Sequence, residues 1–303
     1  MSRSPASDNL KGAGLMIAAM AGFAIEDVFL KSAARSFPVG LVLMLFGAGG
    51  TLLFALLARV ARQGLWHPDM ASRPMILRAA SEMLGRLGYT MAIALMPLST
   101  VSAILQATPL VVVAGAALIF HEKVGWRRWL AIAVGLSGVM LILRPGGEGL
   151  GPVAIFALLG MAGFAGRDLA TRASPRSLSN WQLGLCGFAV LVPTGALLLA
   201  TGIGGRLGAG SGAVAPALGF IAIATVVGVA GYSALTQAMR TGEVSVVTPF
   251  RYTRLLFGVL LGMAIFGESP GLPVYLGSAL ILGAGLYSLW RETRRRPPPV
   301  QSA

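Results

Sequence analysis

Apolar residues run along the chain in blocks of about 20, the length an α-helix needs to cross the hydrocarbon core of a bilayer. Ten such segments are predicted, roughly at residues 12–34, 38–58, 75–95, 98–120, 127–144, 151–171, 181–201, 215–239, 246–266 and 272–290, with short polar gaps between them. The first follows Arg3 and Lys11 as a signal peptide would. It lacks a small-residue cleavage site and runs on into Glu26, Asp27 and Lys31, so it reads as an uncleaved span. The pattern predicts an all-α integral membrane protein with ten transmembrane helices.

Two of these segments echo each other. Residues 20–27 read MAGFAIED and residues 161–168 read MAGFAGRD, six matches in eight at an offset of 141. Four residues beyond each Asp stands a base, Lys31 and then Arg172. A second, looser echo joins Phe120-His121-Glu122 to Phe266-Gly267-Glu268 at an offset of 146, which places a small insertion in the second unit, as in the Gly-rich stretch 202–212. Self-similarity at a fixed distance marks an internal repeat.

The gaps between segments supply orientation. Arg59, Arg62, Arg73, Lys123, Arg127, Arg128, Arg172, Arg176, Arg240, the tail Arg291 and 294–296, Arg3 and Lys11 fall on one side, against Arg35, Arg144 and Arg206 on the other. Basic residues concentrate on the cytoplasmic side, so both termini are predicted to be cytoplasmic. Helix 1 then runs outward and helix 6 inward, and two similar five-helix units must be inverted relative to each other. The expected divisions are a cytoplasmic segment 1–11, repeats 12–145 and 146–291, and a basic, Pro-rich tail 292–303. Inverted repeats place a substrate site near the bilayer midplane and support alternating access.

Composition agrees with lipid as the main solvent. Apolar residues make up 55% of the chain and charged residues only 12%, half the share of a soluble domain, and mean hydropathy is +0.77. The 41 glycines let helices approach closely. A net charge of +13 would suit nucleic acid, but the bases are spread over alternate gaps rather than one patch. The single Cys186 excludes an intrachain disulfide. There is no GxxxxGK[ST] loop for ATP, and His121-Glu122 lacks the second His of a zinc protease.

Several motifs now resemble the drug/metabolite transporter superfamily, specifically its EamA-type ten-helix members. They are Ala107-Thr108-Pro109-Leu110 leading to Glu122, Trp126-Arg127-Arg128-Trp129 before a helix ending Arg144-Pro145-Gly146, and Thr248-Pro249-Phe250-Arg251-Tyr252 leading to Phe266-Gly267-Glu268. The Arg-Tyr after Pro249 is similar to a bacterial branch that includes S-adenosylmethionine uptake carriers. The resemblance implies movement of a small organic solute through a cavity between the two halves, in a bacterial inner membrane and without a cofactor.

Charge inside a span is by default functional. On helix 1, Asp27 and Lys31 share a face, and Glu26 with Asp27 reads as a cation or proton site tuned by Lys31, or as a self-neutralising ion pair. Helix 6 offers Arg167 and Asp168 at the matching positions, so Arg167 could neutralise Glu26 or Asp27 as a gate between halves, or bind substrate. Helix 3 carries Glu82, Arg86 and Tyr89 on one stripe, with Arg86 a candidate carboxylate clamp; the bland alternative is a closed Glu82–Arg86 pair. Arg78 extends that stripe but is expected to snorkel to the cytoplasmic edge.

Helix 9 brings Arg251, Tyr252 and Arg254 after the kinking Pro249, helix 4 brings Gln106 and Pro109, and helix 8 brings Tyr232 and Thr236, the last read as ordinary packing. Glu122 and Glu268 read as interfacial caps, pairing with Lys123 or Arg127. Near balance of buried acids and bases fits an amino-acid-like, zwitterionic or nucleoside-like metabolite. The expected partners are that solute, the bilayer, protons as a candidate coupling ion and a second copy of the chain as a candidate homodimer. The function expected is secondary transport; the alternatives from other classes are an intramembrane enzyme and a non-transporting receptor.

Overall fold

The computed structural model describes residues 5–121, 124–144, 151–175, 177–205, 214–241 and 244–295. Glu122, Lys123, Pro145-Gly146, Arg176, Arg206 with most of the Gly-rich stretch, Arg3 and residues 296–303 lie outside them, as do the side chains of Arg172, Arg240 and 291–295. Every regular element among the described residues is helical. In chain order they are α1 (Pro5–Ala33), α2 (Val39–Val60), α3 (Arg73–Leu95), α4 (Leu98–Leu105), α5 (Thr108–Ile119) and α6 (Trp126–Leu143). Then come α7 (Ala154–Arg172), α8 (Asn180–Ala189), α9 (Leu191–Thr201), α10 (Val214–Thr241), α11 (Val244–Val247), α12 (Thr253–Phe266) and α13 (Leu272–Arg295).

Alone or joined across short breaks, these give nine helices long and apolar enough to cross a membrane among the described residues. α3 has the length, 23 residues, but carries Arg73, Arg78, Glu82 and Arg86 and falls outside that set. The segments expected at 98–120, 181–201 and 246–266 are each interrupted. Pro109 withholds a donor from the turn before it, and α4 stops at Leu105 before α5 begins at Thr108. A 3-10 turn over Thr248–Tyr252, with Pro249 inside it, likewise separates α11 from α12. The two irregular stretches meet: Gln106 Nε2 donates to the carbonyls of Arg251 (3.3 Å) and Tyr252 (3.1 Å). Freed backbone carbonyls are thus satisfied by protein, as they must be at membrane depth.

Helices pair across the two halves of the chain. α3 lies along α7, α1 along α10, α6 along α13, α2 along α8 and α9, and α4 along α12. Lipid gives helices no hydrophobic reason to associate, so close packing of small residues does it. A Cβ on Gly88 would stand 2.5 Å from the backbone nitrogen of Gly160 in α7, and one on Gly138 2.7 Å from the Gly277 carbonyl of α13. Gly258 and Gly262 pack inside the chain, against Ser102 and Glu268. A Gly88→Leu change is expected to lever α3 from α7 and to cost at least the 1–3 kcal/mol typical of overpacking, because backbone cannot move aside. A thermal midpoint equal to wild type would show that the contact is not close.

Candidate substrate cavity and its charged lining

The buried charges form one alternating chain across three helices and the 3-10 turn. Arg86 Nη1 on α3 donates to Glu26 Oε1 on α1 at 3.0 Å, and its Nε to Glu82 Oε1 at 3.4 Å. Glu82 Oε2 lies 3.5 Å from Arg167 Nη1 on α7. Arg167 also donates to its neighbour Asp168 from Nε and Nη2, at 3.0 and 2.9 Å. Asp168 Oδ2 ends the chain 3.7 Å from Arg251 Nη2. Aromatic faces support the cations: Arg86 sits 5.6 and 5.8 Å from the Phe46 and Phe164 ring centres, and Arg167 4.8 Å from Phe164.

A second, shorter group stands beside it. Arg254 Nη2 on α12 donates to Asp27 Oδ2 at 2.8 Å and to the Tyr89 hydroxyl at 3.1 Å, with the Phe23 ring 5.4 Å away. The repeated octapeptides therefore do parallel work. Phe23 and Phe164 each lie under an arginine, and Asp27 and Asp168 each reach a residue just after Pro249. Gly22 and Gly163 seat the neighbouring α10 and α3. Glu26 and Asp27 are almost wholly buried, and Glu26 Oε2 and Asp27 Oδ1 have no hydrogen-bond partner among the described residues.

Most of these charged residues, though not Asp27, border a cavity of about 370 Å³. Its lining combines charged groups, among them Glu26, Glu82, Arg86, Arg167, Asp168 and Arg251, with apolar ones, among them Met20, Phe23, Leu235 and Met239. Tyr232 also borders it, its ring edge-on to Phe54. The cavity reaches toward the end of the molecule where α3 begins and α7 and α10 finish, through Arg78, Thr171 and Met239.

Several expected roles change. Arg167 does not neutralise Glu26 or Asp27, because α7 packs on α3 whereas α1 packs on α10 and α12; Arg86 and Arg254 take those acids instead. Arg86 is therefore no free carboxylate clamp, being held between Glu26 and Glu82. Gln106 serves the backbone. Tyr252 and Gln106 both border the cavity, while the Tyr252 hydroxyl itself lies beside Gly285 of α13. Thr236 bonds its own helix at the Tyr232 carbonyl, as ordinary packing. Arg78 does not snorkel: it is 4% exposed and borders the cavity. Its spacing of four and eight residues before Glu82 and Arg86 puts it on that stripe, and the structure adds its depth.

Lys31 turns away from Asp27 to the far end of α1. Its Nζ donates to the Met96 carbonyl (2.6 Å) and to Glu268 Oε1 (3.2 Å). Glu268 accepts the Leu98 amide (2.6 Å), the Ser99 amide (2.9 Å) and the Ser99 hydroxyl (2.8 Å), capping α4. Gly267, at φ +65, makes the left-handed turn that aims Glu268 there. The expected cap is present with Lys31 as partner, not Lys123 or Arg127. The network ties α1, α4 and the α12–α13 turn together at the end away from Arg78.

Glu268 lies between spans. Burial pushes its carboxyl upward, but the Ser99 and Leu98 amides, the Ser99 hydroxyl and the Lys31 charge outweigh that and hold it below its ordinary 4.5. A carboxyl depressed on folding stabilises above its unfolded value, and that stabilisation disappears as pH falls through the folded value. The thermal midpoint of Glu268→Gln is therefore expected below wild type by a constant margin from neutral pH down to about 5.5, narrowing below 4.5. A margin that widens in acid would contradict the assignment.

The EamA-like transporter family matches residues 10–144 and 150–290. A riboflavin transporter of Rhizobium johnstonii is 30% identical over 231 residues, covering 74% of this chain and 72% of its own. An S-adenosylmethionine uptake transporter of Rickettsia bellii is 23% identical over 228 residues, 74% of this chain and 75% of its own. A solved crystal structure superposes with a TM-score of 0.61 at 19% identity, over 95% of this chain and 99% of that one, and shares the fold.

Proposed function

Because the chain belongs to the EamA-like transporter family, and is thus a multi-pass membrane transporter of small molecules rather than an enzyme, we propose that it carries a small organic metabolite by alternating access between two inverted five-helix repeats. On this reading α3 is a tenth span whose charges face the cavity instead of lipid. The repeats are 12–145 and 146–291, flanked by cytoplasmic segments 1–11 and 292–303. The family matches at 10–144 and 150–290 support that division. So does the pairing of helices: exchanging helices of equal rank in the two halves turns the α1–α10 contact into the α7–α3 contact.

The observation that carries the reading is the charged cavity itself. It reaches one end of the molecule past Arg78 and Met239 and is shut at the other by Lys31, Glu268 and the capped start of α4. The excess of loop arginines makes the reached end cytoplasmic, so this is the inward-facing state in a bacterial inner membrane. The ion chain from Glu26 to Arg251 joins both halves and has to rearrange when access switches, as a bistable interface would. Glu26 and Asp27 each keep one unpaired oxygen where a proton could bind, which supports coupling to proton exchange.

The ring-bearing cargos named for relatives, riboflavin and S-adenosylmethionine, suit a pocket lined by both apolar and charged side chains, and favour a nucleoside-like or zwitterionic solute. Symmetry permits uptake or export, and the gradient decides. Purified protein in proteoliposomes, offered labelled riboflavin, S-adenosylmethionine, nucleosides and amino acids, is expected to move at least one of them saturably. Well-folded protein that moves none would sink the reading.

A further inference from the structure

Arg78 is the one guanidinium on the cavity wall that joins no ion pair among the described residues. Its side chain is buried, at 4% exposure. Its Nε is held by the Thr171 hydroxyl at 3.1 Å, and that hydroxyl is itself fixed by donating to the Arg167 carbonyl at 2.7 Å. Both terminal nitrogens remain available. Arg78 borders the cavity together with Gly187, where a Cβ would come into ordinary contact with Nη2 and Nη1, at 3.7 and 3.9 Å, so the glycine adds no side chain beside them.

The remaining charges have partners. Arg86, Arg167, Arg251 and Arg254 are matched by Glu26, Asp27, Glu82 and Asp168. Arg78 makes five bases against four acids, a surplus of one positive charge inside the membrane. An unmatched buried charge is costly, and a preset guanidinium fork with two free nitrogens matches a carboxylate geometrically.

Building on the transport reading above, we infer that Arg78 is the anion-recognising residue of the cavity and that the cargo carries a single carboxylate beside an apolar or ring-bearing body. A carboxylate brings the cluster to neutrality. A dianionic phosphate would overshoot it, and a solute without a carboxylate would leave Arg78 without a contact partner. The apolar residues Met20, Phe23, Leu235 and Met239 receive the body while Arg78, anchored at Nε by Thr171, holds the head group. Arg78 lies on the side that the cavity reaches, so it meets a cargo entering from or leaving to that end.

Benzoate and benzamide, which share a ring and differ in the charge, separate this from the transport reading. In purified wild-type protein, benzoate at about 20 mM is expected to raise the thermal midpoint by mass action, and benzamide is not. Arg78→Gln is expected to abolish the benzoate shift, and Arg78→Lys, which keeps the charge without the fork, to weaken it on the order of tenfold. Should Arg78→Gln fail to elute as folded protein, Thr171→Val provides the second test, since losing the Nε anchor is expected to weaken benzoate in the same sense.

In proteoliposomes, nicotinate is expected to outrun nicotinamide, and Arg78→Gln to level the two. A wild-type midpoint unmoved by benzoate, a shift that survives in both Arg78→Gln and Thr171→Val, or equal handling of nicotinate and nicotinamide would overturn the inference and leave transport standing. Benzoate binding that depends on Arg78, with no flux of any solute, would overturn transport alone.

Discussion

Arg86→Ala is expected to be the most damaging single substitution in the cavity, removing flux and costing about 3–5 kcal/mol of stability, the range for breaking a buried ion pair from one side. Its guanidinium serves Glu26 and Glu82 at once, and both acids are buried. Deleting it strands two carboxylates, and Glu26 already has one oxygen without a partner. Arg86→Lys retains the charge but cannot span two acids with a planar fork, so it is expected to fold better than the alanine variant while transporting poorly. Thermal midpoints and proteoliposome flux measured on the same preparations check both halves. Wild-type flux in Arg86→Ala would remove the ion chain from the mechanism.

Arg254→Gln is expected to abolish flux and to lower the midpoint sharply, because Asp27 is then left buried without its cation. The pair differs from the Arg86 network in being nearly closed on itself, with Tyr89 as the other hydrogen-bond partner of Arg254 among the described residues. Neutralising both sides should therefore recover what neutralising one loses. Asp27→Asn with Arg254→Gln is expected to regain most of the midpoint, a coupling of the 0.5–3 kcal/mol kind that contacting residues show, yet to remain without flux. A double variant no more stable than Arg254→Gln would mean that the two residues do not act as a pair. Restored flux in the double variant would mean that the charges serve folding only.

Much of this was legible in the sequence because bilayer thickness fixes helix length. Segments expected at 38–58 and 75–95 appear as Val39–Val60 and Arg73–Leu95. Proline positions likewise pointed to the breaks near Gln106 and Arg251. The charged residues were found because charge among apolar neighbours stands out. Their partners were not legible. Lys31 and Glu268 are separated by 237 positions, and nothing local to either says that they meet. The octapeptide echo suggested that α1 and α7 face each other, but similarity of two helices fixes their relation, not their contact. α3 and α12 supply the ion partners instead: Arg167 meets Glu82 and Glu26 meets Arg86 on α3, and Asp27 meets Arg254 on α12. Arg78 departs from the expected snorkelling because distance from a segment end measures depth along a helix and not which face it turns to the cavity.

The tie made by Gln106 has a consequence for how such a protein can diversify. Its amide grips only the main-chain oxygens of Arg251 and Tyr252, atoms that every amino acid possesses. A descendant can therefore exchange the side chain at 251, and with it one of the groups a passing solute meets, while the joint between α4 and α12 keeps its geometry. The group that meets a solute and the joint that holds the two helices are thus carried by different atoms, and a lineage can retune the first without having to reinvent the second.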